Sequence, residues 1–326
     1  MNFEIKDLTG LGAPITKLIE VISNGIGVLY KPYSIRKEAD ASAYAAKLIG
    51  STVTSVDAEK LKIIGLAQAA NNIVLADTDR NILDRAKARI VYRELQRQTN
   101  IEAIAEVAIK ELPDHVSTDK VDGDWRTRFF DIAENVSNSD MQALWGKVLA
   151  GEVAKPGSYS LRALDVLRNL TQHEAHLFQL ARGMAFANRF ILKINSSSSF
   201  DKYGLTYTAL LELRNAGIIH EGDLLTATFK IDPADHQAII QHNELWILIT
   251  SPTEPEVMFE TVTLTSSAME LISLIEPSAN MLYLNDLALS MKPKGFSFQY
   301  IKSSERPNDN DERYKELGID ESSTDQ

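Results

Sequence analysis

The sequence predicts a mainly α-helical protein with an α+β C-terminal part. Apolar residues recur every three or four positions in most segments up to residue 188, which is typical of helices that bury one face. From Phe190 the spacing changes, because Phe190, Leu192 and Ile194 recur at every second position, as in a strand. The segment after residue 302 contains eight acidic and only three basic residues, a composition that favours disorder. We therefore predict four regions: N-terminal amphipathic helices at 1–56, a helical domain at 57–188, an α+β winged-helix-like domain at 189–302 and an acidic disordered tail at 303–326.

Composition limits the classes of function. The chain has 326 residues, of which 44% are apolar, and this is enough to bury a core. Its formal net charge of −11 means that any nucleic-acid binding needs a local basic patch. The absence of cysteine excludes disulfides, thiolate nucleophiles and Cys-based zinc sites, and it favours the cytoplasm.

The N-terminal segment forms one apolar stripe and is followed by a proline, Pro32. The opening residues lack the basic start of a signal peptide, and Lys17, Glu20 and Asn24 interrupt the stripe, so we expect no transmembrane span. The stripe either packs on the helical body or docks on a membrane surface or a second copy. Its residues are Leu11, Ile15, Leu18, Ile22, Ile26 and Leu29.

Further helices are predicted at about 35–48 and 57–75, and a long helical pattern follows from Asp79 to Pro113, with a bend or a pause near Thr99 and Asn100. Four arginines recur every four residues in this pattern and share one slowly drifting helix face: Arg85, Arg89, Arg93 and Arg97. Guanidinium groups suit phosphate, because each can donate two hydrogen bonds to one anion. Two interpretations stay open, a solvated face that pairs with the protein's own carboxylates and a contact for an anion or nucleic acid.

Aromatic residues indicate the core of the helical domain. Trp125, Phe129 and Phe130 fall on one side of a predicted helix, and Leu144, Trp145 and Leu149 fall on one side of the next. Large aromatic residues at this spacing are more typical of a packed core than of a ligand-binding site. Gly146 is expected to permit a close helix crossing, and Thr171 to Glu174 reads as a capping box that opens another helix.

The segment from Thr206 to Ile231 predicts a winged helix. A helix ends at Gly217 and leads into Ile218 and Ile219, then into a two-stranded wing that turns at 221–223. Further strands are predicted at 245–250, 257–264 and 296–301. The predicted recognition helix offers only Glu212 and Arg214 as charges, which favours protein interaction over DNA reading.

No motif predicts an enzyme, a cofactor or a metal site. His173 and His176 are three residues apart rather than the four of a zinc helix, and Glu174 already belongs to the capping box. Arg168 and His173 have the Arg-x4-His spacing of the helical HEPN ribonucleases, although the pair straddles a predicted helix start. Phosphate-binding glycine loops and nucleophile elbows are absent from the sequence.

Several stretches together resemble a known family. They are RELQRQTNIEAIAEVAIKEL at 93–112, the segment 122–171 that carries Trp125 and Trp145, and the later LTYTALLELRNAGII and LTSSAMELISLI. They resemble a bacterial and prophage-borne family known only as a domain of unknown function, and the chain is distantly similar to the abortive-infection alpha (Abi-alpha) proteins. The resemblance covers residues 10–275 and brings no catalytic residues with it. It implies a bacterial cytoplasm and a setting on a mobile element or in phage defence.

These observations give three functional hypotheses. The first is a non-enzymatic interaction protein, such as a phage-defence sensor or effector, with a protein partner or a second copy bound through the N-terminal stripe and the arginine face. The second is a nucleic-acid-binding regulator that uses Arg85 to Arg97 and the winged module. The third is a helical HEPN-like ribonuclease with Arg168 and His173. Peripheral membrane contact is an open version of the first.

Overall fold

Nine α-helices and eight β-strands are present in the part of the chain that the computed structural model describes, which is residues 12–28, 30, 82–196, 200–220, 222, 225–307 and 313–317. The chain divides into two compact units, Met1–Tyr159 and Ser160–Gln326. The helices predicted at 35–48 and 57–75 lie outside the described residues, as do Leu11 and Leu29.

The first unit is helical. Its described helices are α1 (Ala13–Ile26), α2 (Ile82–Glu111), α3 (Gly123–Ala133) and α4 (Ser139–Ala154). An aromatic cluster forms part of its core, because the ring centroids of Trp125 and Phe129 are 5.0 Å apart and those of Phe129 and Trp145 are 5.3 Å apart. All three residues are buried, and this confirms the core predicted from aromatic spacing.

The long helix α2 runs without interruption from Ile82 to Glu111, so the pattern does not pause near Thr99 and Asn100, and a bend there stays a prediction. The Thr99 hydroxyl donates to the carbonyl oxygen of Leu95 at 2.8 Å, which satisfies this polar side chain within the helix. The Asn100 amide reaches out of the helix and donates to the carbonyl oxygen of Glu134 at 2.8 Å. Both side chains therefore have hydrogen-bond partners that leave the helical backbone bonds in place.

Helices α2 and α4 cross closely at Gly146. A Cβ atom added there would lie 2.5 Å from Cβ of Val107 and 2.9 Å from the carbonyl oxygen of Ile104. Atoms cannot approach so closely, so only glycine allows this helix separation. The crossing predicted at Gly146 is confirmed.

The second unit combines five helices with one sheet in the described residues. The helices are α5 (Leu161–Asn169), α6 (Gln172–Met184), α7 (Tyr207–Asn215), α8 (Ser266–Leu271) and α9 (Met281–Met291). The strands are β1 (Ala185–Phe186), β2 (Phe190–Leu192), β3 (Leu225–Lys230), β4 (Gln237–His242), β5 (Leu245–Thr250), β6 (Glu256–Thr263), β7 (Ser297–Lys302) and β8 (Lys315–Glu316).

All described strand pairs are antiparallel, and the order across the sheet is β3-β6-β2-β1-β4-β5-β7-β8. Consecutive residues of β5 are buried, since Ile247, Leu248 and Ile249 are each at most 3% exposed. Because neighbouring side chains of a strand point to opposite faces, the sheet is covered on both sides at β5. At β3, by contrast, most side chains are exposed.

The predicted fold class is wrong for this unit, because no winged helix forms in its described residues. A wing is a local hairpin, whereas β3 pairs along its whole length with the distant strand β6, from Leu225 opposite Thr261 to Lys230 opposite Glu256. Ile219 makes a single bridge, to Leu264. Alternation along the chain predicted strands here correctly, but it does not say which strand is the partner.

The prediction that the tail is disordered from residue 303 onwards is also wrong, because part of the tail is ordered. Lys315 and Glu316 form β8, which pairs with Gln299 and Tyr300 of β7. The Leu317 amide donates to the carbonyl oxygen of Phe298 at 2.9 Å, and its side chain is buried. One apolar residue and a few backbone hydrogen bonds therefore order this acidic segment locally, despite its composition.

Candidate interaction surface

The first half of α2, from Ile82 to Thr99, has no buried residue among those whose side chains are described, whereas burial begins at Asn100. Large apolar side chains are exposed on it, with exposed fractions of 74% for Ile82, 57% for Ile90 and 54% for Val91. Three of the four predicted arginines, Arg85, Arg89 and Arg93, are exposed beside them. We call this segment the α2 surface.

The arginines of the α2 surface differ in their surroundings. Arg97 is half-buried and lies 2.9 Å from a carboxylate oxygen of Glu94 and 3.3 Å from one of Glu134. No carboxylate oxygen of the described residues lies within 4.0 Å of Arg85, Arg89 or Arg93. The structure therefore pairs Arg97 within the first unit, whereas no described carboxylate pairs with the other three guanidinium groups.

The apolar part of the surface continues a face that is buried further along the helix. Ile90 lies about three turns before Ile101 and about five before Ala108, so all three project on the same side of α2. Ile101 and Ala108 are buried, while Ile90 is exposed. One row of side chains on α2 is thus buried in the second half of the helix and exposed to solvent in the first half.

The N-terminal stripe lies inside the first unit where it is described. Leu18 and Ile22 are fully buried on α1, which packs against α2, α3 and α4, and Ile15 and Ile26 are half-buried. Lys17 reaches the carbonyl oxygen of Ser117 at 2.7 Å, and burial lowers the pKa of its amine, with nearby carboxylates acting in the opposite direction. Contact of this stripe with a membrane or a partner stays a prediction.

The histidine and arginine pair suggested for a ribonuclease is divided between two helices. Arg168 lies on α5 and His173 on α6, and both are exposed. His173 Nε2 lies 3.0 Å from a carboxylate oxygen of Glu212 on α7, and His176 is exposed as well. Glu174 completes the capping box with Thr171, as predicted, which explains its place in the sequence.

A buried polar cluster was not predicted from the sequence. His242 Nε2 donates to the carbonyl oxygen of Gly183 at 3.1 Å, and the Asn243 amide donates to the carbonyl oxygen of Arg182 at 3.0 Å. Arg182 Nη1 donates to Asn188 Oδ1 at 3.0 Å. The cluster therefore joins the end of α6 to the turns that follow β1 and β4.

Burial dominates the electrostatics of this cluster. It lowers the pKa of His242 to about 3 and also lowers the pKa of Arg182, which Glu244 and Glu276 partly offset. At this cluster and the adjoining Glu244, four buried atoms have no hydrogen-bond partner among the described residues: Arg182 Nε, His242 Nδ1, Asn243 Oδ1 and Glu244 Oε2. The nearest sequence signal is the two-residue turn at Asn243 and Glu244, which predicts a hairpin but not the contact with Arg182.

Within the described ranges, no group of three or more His, Asp and Glu side chains is arranged to hold a metal ion. None of the described helices has the length and the apolar composition that crossing a bilayer requires.

The architecture defines a two-unit protein with a helical first unit and a mixed second unit built on an antiparallel sheet. The chain belongs to the family described as a protein of unknown function (DUF2806), whose sequence profile matches residues 84–288. This match confirms the expected membership of an uncharacterised family, while similarity to the Abi-alpha proteins stays a prediction. No curated protein and no solved structure matches the chain significantly.

Proposed function

We propose that the protein is a non-enzymatic interaction protein that binds an acidic protein partner through the α2 surface. The observation that carries the proposal is the exposure of Ile82, Ile90 and Val91 beside three arginines that no described carboxylate neutralises. Apolar side chains supply the area of a protein interface, and unpaired guanidinium groups select a partner of opposite charge.

The charge distribution supports an acidic partner. Residues 80–98 contain six basic and two acidic residues, although the whole chain has a net charge of −11. The α2 surface is therefore a basic patch on an acidic protein. Such a patch attracts acidic partners electrostatically, while the rest of the chain repels them.

Charge reversal tests this proposal. A photo-crosslinking amino acid at Ile90 should give one defined protein adduct in cells, and the same group at the exposed Asp131 of α3 should not. Arg85→Glu, Arg89→Glu and Arg93→Glu together should remove the adduct. Each exposed ion pair contributes about 0.2–1 kcal/mol, so loss of three weakens binding roughly tenfold before repulsion is added.

Circular dichroism of the triple variant checks that the exposed substitutions leave the helices intact. Equal adducts at Ile90 and Asp131, or an Ile90 adduct that survives the triple reversal, would contradict the proposal.

Nucleic acid is the second candidate partner, favoured by the row of three exposed arginines. It can no longer draw on a winged module. Fluorescence anisotropy with labelled RNA and DNA separates it from the first candidate, because affinity for phosphates falls steeply as salt rises. Salt-sensitive binding that the triple variant lacks, together with no protein adduct at Ile90, would put nucleic acid in place of the protein partner.

We also propose that the interaction serves phage defence, the setting that the similarity to the Abi-alpha proteins predicted from the sequence would imply. Bacteria that express the chain should then give fewer plaques with some phages than bacteria that express the triple variant at the same level. Equal plating of a broad phage panel on both strains would remove this setting while leaving the interaction itself untouched.

A further inference from the structure

The outer edge of the sheet at β3 is open in the described part of the chain. Strand β3 ends the sheet order, and its one described neighbour is β6. At the other end of the sheet the edge strand β8 has two residues, Lys315 and Glu316, and both are charged. Short length and charge are the usual means by which proteins protect a sheet edge from pairing with another chain. Strand β3 has six residues and no proline, and its single charge, Lys230, stands at its end, so both means of protection are weaker there.

The direction of the free backbone groups follows from one hydrogen bond. The Ile231 amide donates to the carbonyl oxygen of Pro255 at 2.9 Å, so the backbone of Ile231 points towards the β6 side. In an antiparallel pair this direction alternates along the strand. The N–H and C=O groups of Thr226, Thr228 and Lys230 therefore point to the open side, where no described strand lies.

The side chains of β3 are sorted by face. Leu225, Ala227 and Phe229 lie on one face, where Phe229 packs with Phe190 at a ring distance of 5.8 Å. Thr226, Thr228 and Lys230 lie on the other face and are exposed. Leu225 keeps 44% of its surface exposed at the end of the apolar row.

We propose that β3 is a self-association surface, on which β3 of a second copy adds antiparallel and joins two sheets into one. Two-fold pairing centred on Thr228 sets Thr228 opposite itself, Thr226 opposite Lys230 and Ala227 opposite Phe229. Apolar residues then meet apolar residues on one face, and threonines meet a threonine or a lysine on the other. No like charges stand directly opposite each other, and the three outward residues of each strand exchange hydrogen bonds. The proposal is independent of the α2 surface.

A second copy fits this edge because the strand is its own complement. A two-fold interface brings the same patch of both subunits together, so a strand with sorted faces and one terminal charge needs no other partner. The net charge of −11 opposes association, and salt screens that repulsion. Self-association should therefore strengthen as salt rises, which is opposite to the behaviour expected for phosphate contacts on the α2 surface.

Sedimentation velocity of the full chain tests the proposal. The protein should shift from monomer to dimer as its concentration rises. Thr228→Pro removes an outward N–H without taking a bond from β6, and Thr228→Lys places two lysines opposite each other at the two-fold axis. Both variants should stay monomeric at concentrations where the unaltered chain is mainly dimeric.

Met258→Lys is the matched control, because Met258 lies opposite Thr228 on the inner neighbour β6 and is 59% exposed. This variant gains the same charge away from the edge and should dimerise like the unaltered chain. If Thr228→Pro does not fold by circular dichroism, Thr228→Lys decides alone. A chain that is monomeric at every concentration, or a Thr228→Lys variant that dimerises as well as Met258→Lys, would overturn the proposal.

Discussion

At the scale of single residues, His242 is an ionisable group enclosed in the core of the second unit. It is fully buried between Phe186 and Tyr283, whose ring centroids are 4.5 and 6.5 Å from its own. Its Nε2 faces the Gly183 carbonyl oxygen, so the neutral ring carries its proton on that nitrogen. The other five histidines are exposed. His242 is thus held neutral in the fold.

This burial predicts a pH-dependent stability. In the unfolded chain His242 binds a proton as the pH falls through about 6.5, whereas in the fold its pKa is lowered to about 3. The unfolded state is therefore stabilised as the pH falls below the unfolded pKa, and the free energy of unfolding drops by up to about 1.4 kcal/mol per pH unit. Urea unfolding at pH 7.5 and pH 5.5 measures the loss.

The variant His242→Phe should lose stability less steeply over the same range, because its apolar ring cannot titrate. The Gly183 carbonyl oxygen keeps a partner there, since it also accepts from the Asn280 amide at 2.8 Å. His236→Gln, at an exposed position, serves as the control and should keep the slope of the unaltered chain. A slope in His242→Phe equal to that of the control would be incompatible with the assignment.

Local sequence could predict some of these residue roles and not others. The capping box at Thr171 and Glu174 lies within one helical turn, so the local sequence contains every residue that forms it and predicts it correctly. Arg182 and Asn243, by contrast, meet only because β1 and β4 pair, through Phe186 and His242. No spacing in the sequence encodes that contact, and the buried cluster was missed for this reason.

At the scale of elements, the sequence predicted several individual strands but not their pairing. The strands predicted at 245–250, 257–264 and 296–301 correspond to β5, β6 and β7. Strand β4 was missed because polar residues, Gln237, Gln241 and His242, interrupt its apolar pattern, and β8 was missed because its residues are charged. Strand pairing was not predictable, since β3 and β6 are joined across a long stretch of chain in which β4 and β5 pair with each other.

The crossing of α2 and α4 predicts a specific sensitivity to size. Gly146→Ala should lower the free energy of unfolding by about 1–3 kcal/mol through overpacking, less about 1 kcal/mol of improved helix propensity. Part of the clash is with backbone, the Ile104 carbonyl oxygen at 2.9 Å, which side-chain rotation cannot relieve. Chemical denaturation of the purified variant measures the change.

Gly123→Ala is a matched control for this substitution. Gly123 opens α3, and a Cβ added there meets no atom within 4 Å. Its unfolding midpoint should equal or exceed that of the unaltered chain. Equal midpoints for Gly146→Ala and Gly123→Ala would mean that the crossing has room to adjust.

At the scale of the whole molecule, the unit boundary differs in position from the change in secondary structure. The sequence changes from helices to strands near residue 188, and we placed a domain boundary there, whereas the compact units meet between Tyr159 and Ser160. Helix α5 packs with α8, and α6 packs with α7, so these helices belong with the sheet. Periodicity reports local structure, but the composition of a core depends on contacts that periodicity does not contain.

The docking of Leu317 has a practical consequence for shortened versions of the chain. Removing everything after Lys302, as the acidic composition invites, would also remove β8 and leave β7 without its described outer neighbour. That truncation would uncover a six-residue strand, Ser297–Lys302, at the far side of the sheet. A terminal deletion made to improve solubility would therefore expose a strand edge that can pair with another chain, whereas β8 covers part of this edge in the unshortened chain.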